Sequence, residues 1–148
     1  MRLPRRLVLA TKNLDKAREV RAVLAVVAPG VEVAEGAGWP DVEESGATLE
    51  ENARLKARAV AAATGLPALA DDTGLEVAAL DGAPGVHTAR FAGPSAGYAA
   101  NRAALLAALA GVADRRARFR TVVALVTPGG GEVLAEGVLE GRITTAER

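Results

Sequence analysis

The stretch Ala70-Asp71-Asp72-Thr73-Gly74-Leu75 lies near the middle of the chain and follows an apolar run over residues 66–70. An apolar run followed by two carboxylates and a Thr-Gly pair predicts a buried strand that ends in a turn, with its acidic residues at the strand's carboxyl end. In α/β sheets, ligands bind in the crevice beyond those ends. Paired aspartates there can hold a divalent cation, and one of them can deprotonate a water molecule. An ordinary turn is the alternative, because Asp and Gly are common in turns for backbone reasons.

Composition narrows the classes of protein and of metal site. The 148 residues are 50% hydrophobic and 24% charged, which predicts one globular domain over residues 1–148. The absence of cysteine excludes disulfides and thiolate metal sites, and a single histidine excludes a multi-histidine zinc site. A bound metal is therefore expected to be held by oxygen atoms, which favours Mg²⁺, with Mn²⁺ as a second choice.

A net charge of zero argues against a general nucleic-acid binder. No apolar run reaches the roughly 20 residues that a membrane helix needs, so we expect a cytoplasmic protein.

The first candidate site is the junction between a predicted strand over residues 7–11 and a predicted helix over residues 14–28. Asn13 is a suitable N-cap for this helix. Free backbone N–H groups and the positive helix end favour an anion there, and Lys12 and Lys16 add charge. The alternative is an ordinary capped helix with solvated lysines. Four residues are expected to form the apolar face of the helix: Val20, Val23, Leu24 and Val27.

A second helix carries another candidate lysine. Thr48 and Glu51 have the spacing of a capping box, which predicts a helix that runs to about Thr64. Lys56 lies among small apolar residues of this helix, on the same face as Asn52. Its ammonium group is therefore directed to one place, and a phosphate is a reasonable target, although a solvated lysine with a packed stem has the same pattern.

Other charged residues lie in loops and in a later strand. The loop over residues 36–46 contains Glu43 and Glu44, which could supply a carboxylate to a metal or could be solvated. Arg90 could contact a phosphate or brace neighbouring carboxylates. A helix capped by Ser95 is expected over residues 96–110, with Tyr98, Leu105, Leu106 and Leu109 on its apolar side. The arginine-rich run at residues 115–120 begins a strand that a turn at residues 127–131 joins to a hairpin partner, and most of its arginines are expected to be solvated.

Taken together, these segments resemble the Ham1/RdgB-type inosine triphosphate pyrophosphatases, which remove non-standard purine nucleoside triphosphates. The matching segments occur in the family's order and cover nearly all of the chain. They are Leu9-Ala10-Thr11-Lys12-Asn13 with Lys16 and Glu19; Glu43-Glu44-Ser45-Gly46; Glu51-Asn52-Ala53 with Lys56-Ala57; Ala70-Asp71-Asp72-Thr73-Gly74-Leu75; and Gly82-Ala83-Pro84-Gly85-Val86 through Ala89-Arg90-Phe91 to Gly93.

The resemblance implies an elongated single α/β domain with a long, twisted mixed sheet flanked by helices. It implies Mg²⁺-dependent hydrolysis of ITP, dITP or XTP to the monophosphate and diphosphate, usually in a homodimer. Asp72 would be the proton acceptor, Lys56 would face the phosphates, and Asp72 with Glu44, or Glu43, would bind Mg²⁺. The substrate would contact a further set of residues: Thr11, Lys12, Asn13, Leu14, Asp15, Lys16, Thr73 and Arg90.

The resemblance stops near the end of the chain. The family continues with a Gly-Phe-Gly-Tyr-Asp-Pro segment and a Ser-His-Arg segment that help to hold the base, and this sequence stops at Arg148 without them. Base selectivity is therefore left open. Two other functions also remain open: a nucleotide-binding remnant without turnover, and an RNA- or DNA-binding strand formed by the arginine-rich run.

Overall fold

The computed structural model describes residues 3–34 and 38–146. The strands are β1 (Arg6–Leu9), β2 (Glu32–Ala34), β3 (Ala68–Val77), β4 (Pro84–Gly85), β5 (Arg116–Val126) and β6 (Glu132–Arg142). The α-helices are α1 (Leu14–Val27), α2 (Leu49–Thr64) and α3 (Tyr98–Ala108), and short 3₁₀ helices cover Ala78–Leu80 and Thr88–Arg90. Within the described ranges, no helix is both long enough and apolar enough to cross a membrane.

The strands form one mixed sheet of six strands in the order β2-β1-β3-β5-β6, with β4 paired to β3. β1 runs parallel to β2 and to β3, whereas β3 and β4 are antiparallel. Helices flank this sheet, so the predicted α/β class with a mixed sheet is confirmed.

The described residues divide into two compact units. The first contains Met1–Gly46, Glu50–Asp71 and Val122–Ala135, and the second contains Ala47–Leu49, Asp72–Thr121 and Glu136–Arg148. The expectation of one domain over residues 1–148 stays a prediction.

The core of the first unit forms where β1 and β5 meet α1. Leu7, Leu9 and Leu125 are buried together, and Val20 and Leu24 of α1 pack against them. The predicted apolar face of α1 was partly wrong, because two of its members, Val23 and Val27, are exposed. The apolar stripe covers only the side of the helix that faces the sheet, and these two valines lie outside it.

α2 packs through small side chains. Ala53, Ala57, Val60 and Ala61 are all buried and recur at the three- and four-residue spacing of a single helix face. Side chains of this size allow a close approach of the helix to its neighbours. The helix begins directly after Thr48, as predicted, and Gly65 follows its end with a φ of 69°, a left-handed value that suits glycine.

The predicted turn at Asp71-Asp72-Thr73-Gly74 was wrong, because β3 continues through these residues to Val77. The strand continues because its second half finds a new partner in β4, where Leu75 pairs with Gly85. Gly74 serves this pairing by its small size, since a Cβ atom at this position would lie 2.6 Å from the carbonyl oxygen of Gly85.

α3 begins later than predicted. Gly97, rather than Ser95, is the N-cap residue, and Tyr98 is 82% exposed instead of lying on the apolar side. The amide of Ala96 donates to the carbonyl of Gly93, and this turn delays the start of the helix. Leu109, just after the helix, is fully buried as expected.

The arginine-rich run contains one buried residue. Arg115 is only 9% exposed and donates to the main-chain carbonyls of Leu109, Val112, Ile143 and Thr144, at distances of 2.6 to 3.5 Å.

The arginines that follow Arg115 make ion pairs with nearby acids. Arg116 pairs with Asp114, and Arg118 pairs with Glu76. Arg120 pairs with both Glu76 and Glu136. Carboxylates of the same unit therefore compensate much of the positive charge of the run.

Candidate active site

The first unit contains a polar cavity of about 340 Å³. Three lysines and three acids line it together with uncharged polar and apolar residues. The lining residues are Ala10, Thr11, Lys12, Asn13, Lys16, Trp39, Asp41, Val42, Glu44, Lys56, Val60 and Asp71.

The register of two parallel strands explains why distant parts of the sequence meet here. Leu9 at the end of β1 pairs with Leu69 of β3, and the amide of Ala10 donates to the carbonyl of Leu69 at 2.8 Å. Thr11 and Asp71 each lie two residues beyond this pair. β1 has ended, whereas β3 continues, so Thr11 and Asp71 both border the space beyond the carboxyl end of β1, where α/β folds bind ligands.

The strand-to-helix junction has the geometry of an anion site. The side-chain oxygen of Asn13 caps α1 by accepting from the amides of Asp15 at 3.0 Å and Lys16 at 3.2 Å. Thr11 in turn accepts from the amide of Asn13 at 3.1 Å. The predicted cap is confirmed, and it fixes the positive end of α1 beside the cavity.

Two residues of the predicted phosphate loop do not line the cavity. Leu14 is 80% exposed, and Asp15 lies 3.8 Å from Arg18 in an exposed ion pair. This follows from the helical geometry, because α1 begins at Leu14 and only Lys16 of its first turn reaches back to the cavity.

Lys56 reaches the cavity from α2, and its side chain is only 17% exposed. Its ammonium group donates to the main-chain carbonyl of Asp71 at 2.5 Å and lies 2.9 Å from a carboxylate oxygen of Glu44. Asn52, one turn earlier and buried, accepts from the amide of Gly46 at 2.8 Å and so holds the end of the loop that carries Glu44.

The other two lysines also have acidic partners. Lys16 lies 3.0 Å from a carboxylate oxygen of Asp71. Lys12 donates to Asp41 at 2.8 Å, and this hydrogen bond holds the pKa of the Asp41 carboxyl below its usual value. Each of the three lysines therefore has an acidic partner, and an ammonium group can bind a polyanion with the donors that this partner leaves free.

The cavity offers the kind of ligand atom, carboxylate oxygen, that a hard cation prefers. Glu44 and Asp71 offer carboxylate oxygens, and no nitrogen or sulfur ligand competes with them among the lining residues. Within the described residues, no three His, Asp or Glu side chains form a complete metal-binding group. This pattern suits Mg²⁺, which is usually held by one or two carboxylates together with substrate phosphates and water.

The remaining predicted residues lie outside this lining set. Asp72 directly follows Asp71, and its Oδ2 atom is shielded from solvent and accepts no hydrogen bond within the described ranges, although the residue takes part in other interactions. Thr73 is hydrogen-bonded to Thr121 at 2.7 Å, and Arg90 lies 3.5 Å from a ring nitrogen of His87. Glu43 precedes Glu44 in the loop but does not line the cavity.

The site residues predicted from the sequence left out six lining residues: Ala10, Trp39, Asp41, Val42, Val60 and Asp71. Asp71 is one of the paired aspartates that the sequence offered as cation ligands, but the resemblance assigned that role to its neighbour Asp72. Trp39 is buried and Asp41 is exposed, and no local pattern in the loop distinguishes them from their neighbours.

Comparison with known families and curated proteins agrees on one group. The profile of the Ham1 family matches residues 7–148. A dITP/XTP pyrophosphatase of Syntrophobacter fumaroxidans is 53% identical over 143 residues, which is 96% of this chain and 62% of that protein. A dITP/XTP pyrophosphatase of Lactiplantibacillus plantarum is 47% identical over 100% of this chain and 74% of its own length.

Solved structures give the same result for the fold. The Ham1 protein of Staphylococcus aureus superposes with a TM-score of 0.85 at 37% identity, covering 97% of this chain and 74% of that one. The nucleoside-triphosphatase/dITP/XTP pyrophosphatase of Mycobacterium abscessus superposes with a TM-score of 0.79 at 40% identity, covering 95% of this chain and 75% of that one. The chain thus spans between about three fifths and three quarters of the length of these relatives.

Proposed function

Because the chain belongs to the Ham1 family, we propose that it hydrolyses non-standard purine nucleoside triphosphates such as dITP, ITP and XTP to the monophosphate and diphosphate. Curated relatives that are about half identical to this chain are dITP/XTP pyrophosphatases, which supports this class of substrate and of reaction. Such an enzyme would remove damaged precursors from the nucleotide pool.

The observation that carries the proposal is the convergence of Lys12, Lys16 and Lys56 on one cavity next to the capped N-terminus of α1. A triphosphate carries several negative charges within a few ångströms, and three ammonium groups beside the positive end of a helix match such a ligand. Thr11 and Asn13 border the same space and would contact the phosphates through their polar groups.

Mg²⁺ is the proposed cofactor, and Mn²⁺ would fit the same oxygen ligands. Glu44, or its neighbour Glu43, and Asp72 would hold the ion, with the substrate phosphates completing its shell. When bound, the ion would offset negative charge on the phosphates.

The chemical step assigned to this chain's own residues is proton removal from water. Asp72 would accept a proton from a water molecule, whose oxygen forms a bond to the α-phosphorus while the bond between the α-phosphorus and the bridging oxygen breaks. The bridging oxygen leaves with diphosphate, and Lys16 and Lys56 would offset the negative charge that develops on it.

Two further substrate contacts, a location and an oligomeric state complete the proposal. Thr73 and Arg90 are proposed substrate contacts by resemblance to the family alone. A cytoplasmic location and a homodimer are also proposed by that resemblance.

The test is diphosphate release from dITP, ITP and XTP, with dATP and dGTP as comparison substrates, in the presence of Mg²⁺ and again with excess chelator. The proposal expects metal-dependent release that favours the inosine and xanthosine nucleotides, and it expects Asp72→Asn to abolish the release while the protein remains folded. Absence of diphosphate at enzyme concentrations high enough to reveal slow turnover would refute the proposed activity. Normal turnover by Asp72→Asn would refute its role as the base.

A further inference from the structure

Asp71 contacts two lysines of the cavity through two different groups. Its carboxylate lies 3.0 Å from the ammonium of Lys16, and its main-chain carbonyl accepts from the ammonium of Lys56 at 2.5 Å. We propose that Asp71 is a positioning residue that holds both ammonium groups toward one polyphosphate. This inference rests on the proposed function, because it names a residue that prepares the same cavity for a triphosphate.

The three residues come from three different elements of the first unit. Asp71 lies in β3, where the pairing of Leu69 with Leu9 fixes the strand two residues earlier. Lys16 comes from α1 and Lys56 from α2. A rigid strand residue is thus the common reference point for two long, flexible side chains.

Asp71 would strengthen ligand binding because it orders the lysine side chains before the ligand binds. A lysine side chain loses up to about 2 kcal/mol of conformational entropy when it is held in one geometry. Lys16 is 35% exposed, and without a partner its ammonium would sample many positions in water. A lysine that Asp71 already holds at the cavity has lost part of this entropy, and the ligand then binds with a smaller loss.

Because Asp71 is negatively charged, the inference predicts that the effect of removing its carboxylate on ligand affinity depends on the charge of Lys16. A carboxylate beside a phosphate site repels the phosphates, so Asp71 can favour binding only through the lysine that it holds or through a metal ion. When Lys16 lacks its charge, only the repulsion remains, and removing the carboxylate should then leave anion binding unchanged or make it tighter. A residue that itself bound the ligand or its metal would weaken binding in both backgrounds.

The experiment is a double-mutant cycle on the binding of inorganic triphosphate with Mg²⁺, measured by calorimetry on the full chain. Asp71→Asn removes the charge and keeps the shape, and we expect about five- to tenfold weaker binding in the wild-type background. In a Lys16→Met background we expect no weakening or a gain in affinity. In a Lys56→Met background the five- to tenfold loss should persist, because the contact to Lys56 uses the main chain, which the substitution leaves in place.

Two further variants control for a general effect of charge and for the length of the side chain. Asp114→Asn removes an exposed carboxylate that pairs with Arg116 in the other unit, so it should leave triphosphate affinity unchanged. Asp71→Glu keeps the charge on a longer arm and should lie within about threefold of wild type, and its effect should also disappear in the Lys16→Met background. If Asp71→Asn does not fold, as judged by thermal unfolding, Asp71→Glu carries the same comparison.

Equal losses from Asp71→Asn with and without the charge of Lys16 would overturn the inference, since Asp71 would then act on the ligand directly. The binding readout also separates this failure from that of the proposed function. A chain that shows the expected coupling but releases no diphosphate would keep Asp71 as a positioning residue and lose the proposed hydrolysis. A chain that hydrolyses dITP but shows additive effects of the two substitutions would keep the proposed hydrolysis and lose Asp71 as a positioning residue.

Discussion

Replacing Lys56 with methionine tests the phosphate site most severely, because this change removes a charge and keeps most of the packed stem. The ammonium of Lys56 has two partners, the Asp71 carbonyl at 2.5 Å and the Glu44 carboxylate at 2.9 Å. Its side chain is mostly shielded from water, which strengthens its interactions relative to those of an exposed lysine.

The expected loss of activity follows from Coulomb's law and from the ion pair that Lys56 makes with Glu44. Two unit charges about 4 Å apart near a protein surface interact by about 4 kcal/mol. Roughly half of this is offset, because Lys56 must loosen its pair with Glu44 to meet a phosphate. We therefore expect Lys56→Met to cause a net loss of about 2 kcal/mol, or about 30-fold in kcat/KM.

The assay is the steady-state release of diphosphate from dITP with Mg²⁺, and Arg58→Met is the matched control. Arg58 lies on the same helix and carries the same charge, but its guanidinium pairs with Glu132 away from the cavity. We expect the control to change kcat/KM by less than about twofold. Equal effects of the two substitutions would refute the placement of the phosphates, because charge alone, and not position, would then account for the loss.

Three further predictions concern stability. Arg115→Ala removes donors to four carbonyls and should destabilise the fold by about 3 kcal/mol, seen as a fall in Tm of roughly 6–12 °C. Arg116→Ala removes an exposed ion pair and should lower Tm much less, and a similar Tm for both variants would contradict this prediction. Gly74→Ala places a Cβ atom 2.6 Å from a main-chain oxygen and should lower the free energy of unfolding by about 1–3 kcal/mol, measured by chemical denaturation. Gly137→Ala is the control, because no atom lies within 4 Å of its Cβ position, and it should lower this free energy by at most about 1 kcal/mol. Hydrogen bonds from Arg116 lower the pKa of Asp114 from 3.8 to about 2, so its contribution to stability is present above about pH 4 and is lost as the pH falls toward 2. The difference in Tm between wild type and Asp114→Asn should therefore shrink over that range, and a constant difference would contradict the assignment.

Local signals in the sequence predicted the helix starts that position the lysines. Asn13 caps α1 and α2 begins directly after Thr48, because capping depends on side chains within a few residues of the helix end. The placement of Lys16 and Lys56 on these helices followed from the same signals, and both line one cavity.

Features that depend on distant partners could not be predicted in this way. The Asp-Asp-Thr-Gly stretch has the composition of a turn, yet it stays extended because β4 pairs with the second half of β3. Arg115 has the sequence context of a solvated strand residue, but carbonyls up to 29 positions away hold it in the interior. The position of Asp71 at the cavity depends on the pairing of Leu69 with Leu9, which lies 60 positions earlier in the sequence.

Phosphorus NMR of dITP incubated with the protein and Mg²⁺ tests the central claim most directly, because it identifies which phosphate bond breaks. We predict that the three nucleotide signals are replaced by those of dIMP and free diphosphate, as water attack on the α-phosphorus requires. Appearance of orthophosphate and dIDP would place the attack at the terminal phosphate, and unchanged dITP at high enzyme concentration would show that the three lysines hold a polyphosphate without cleaving it.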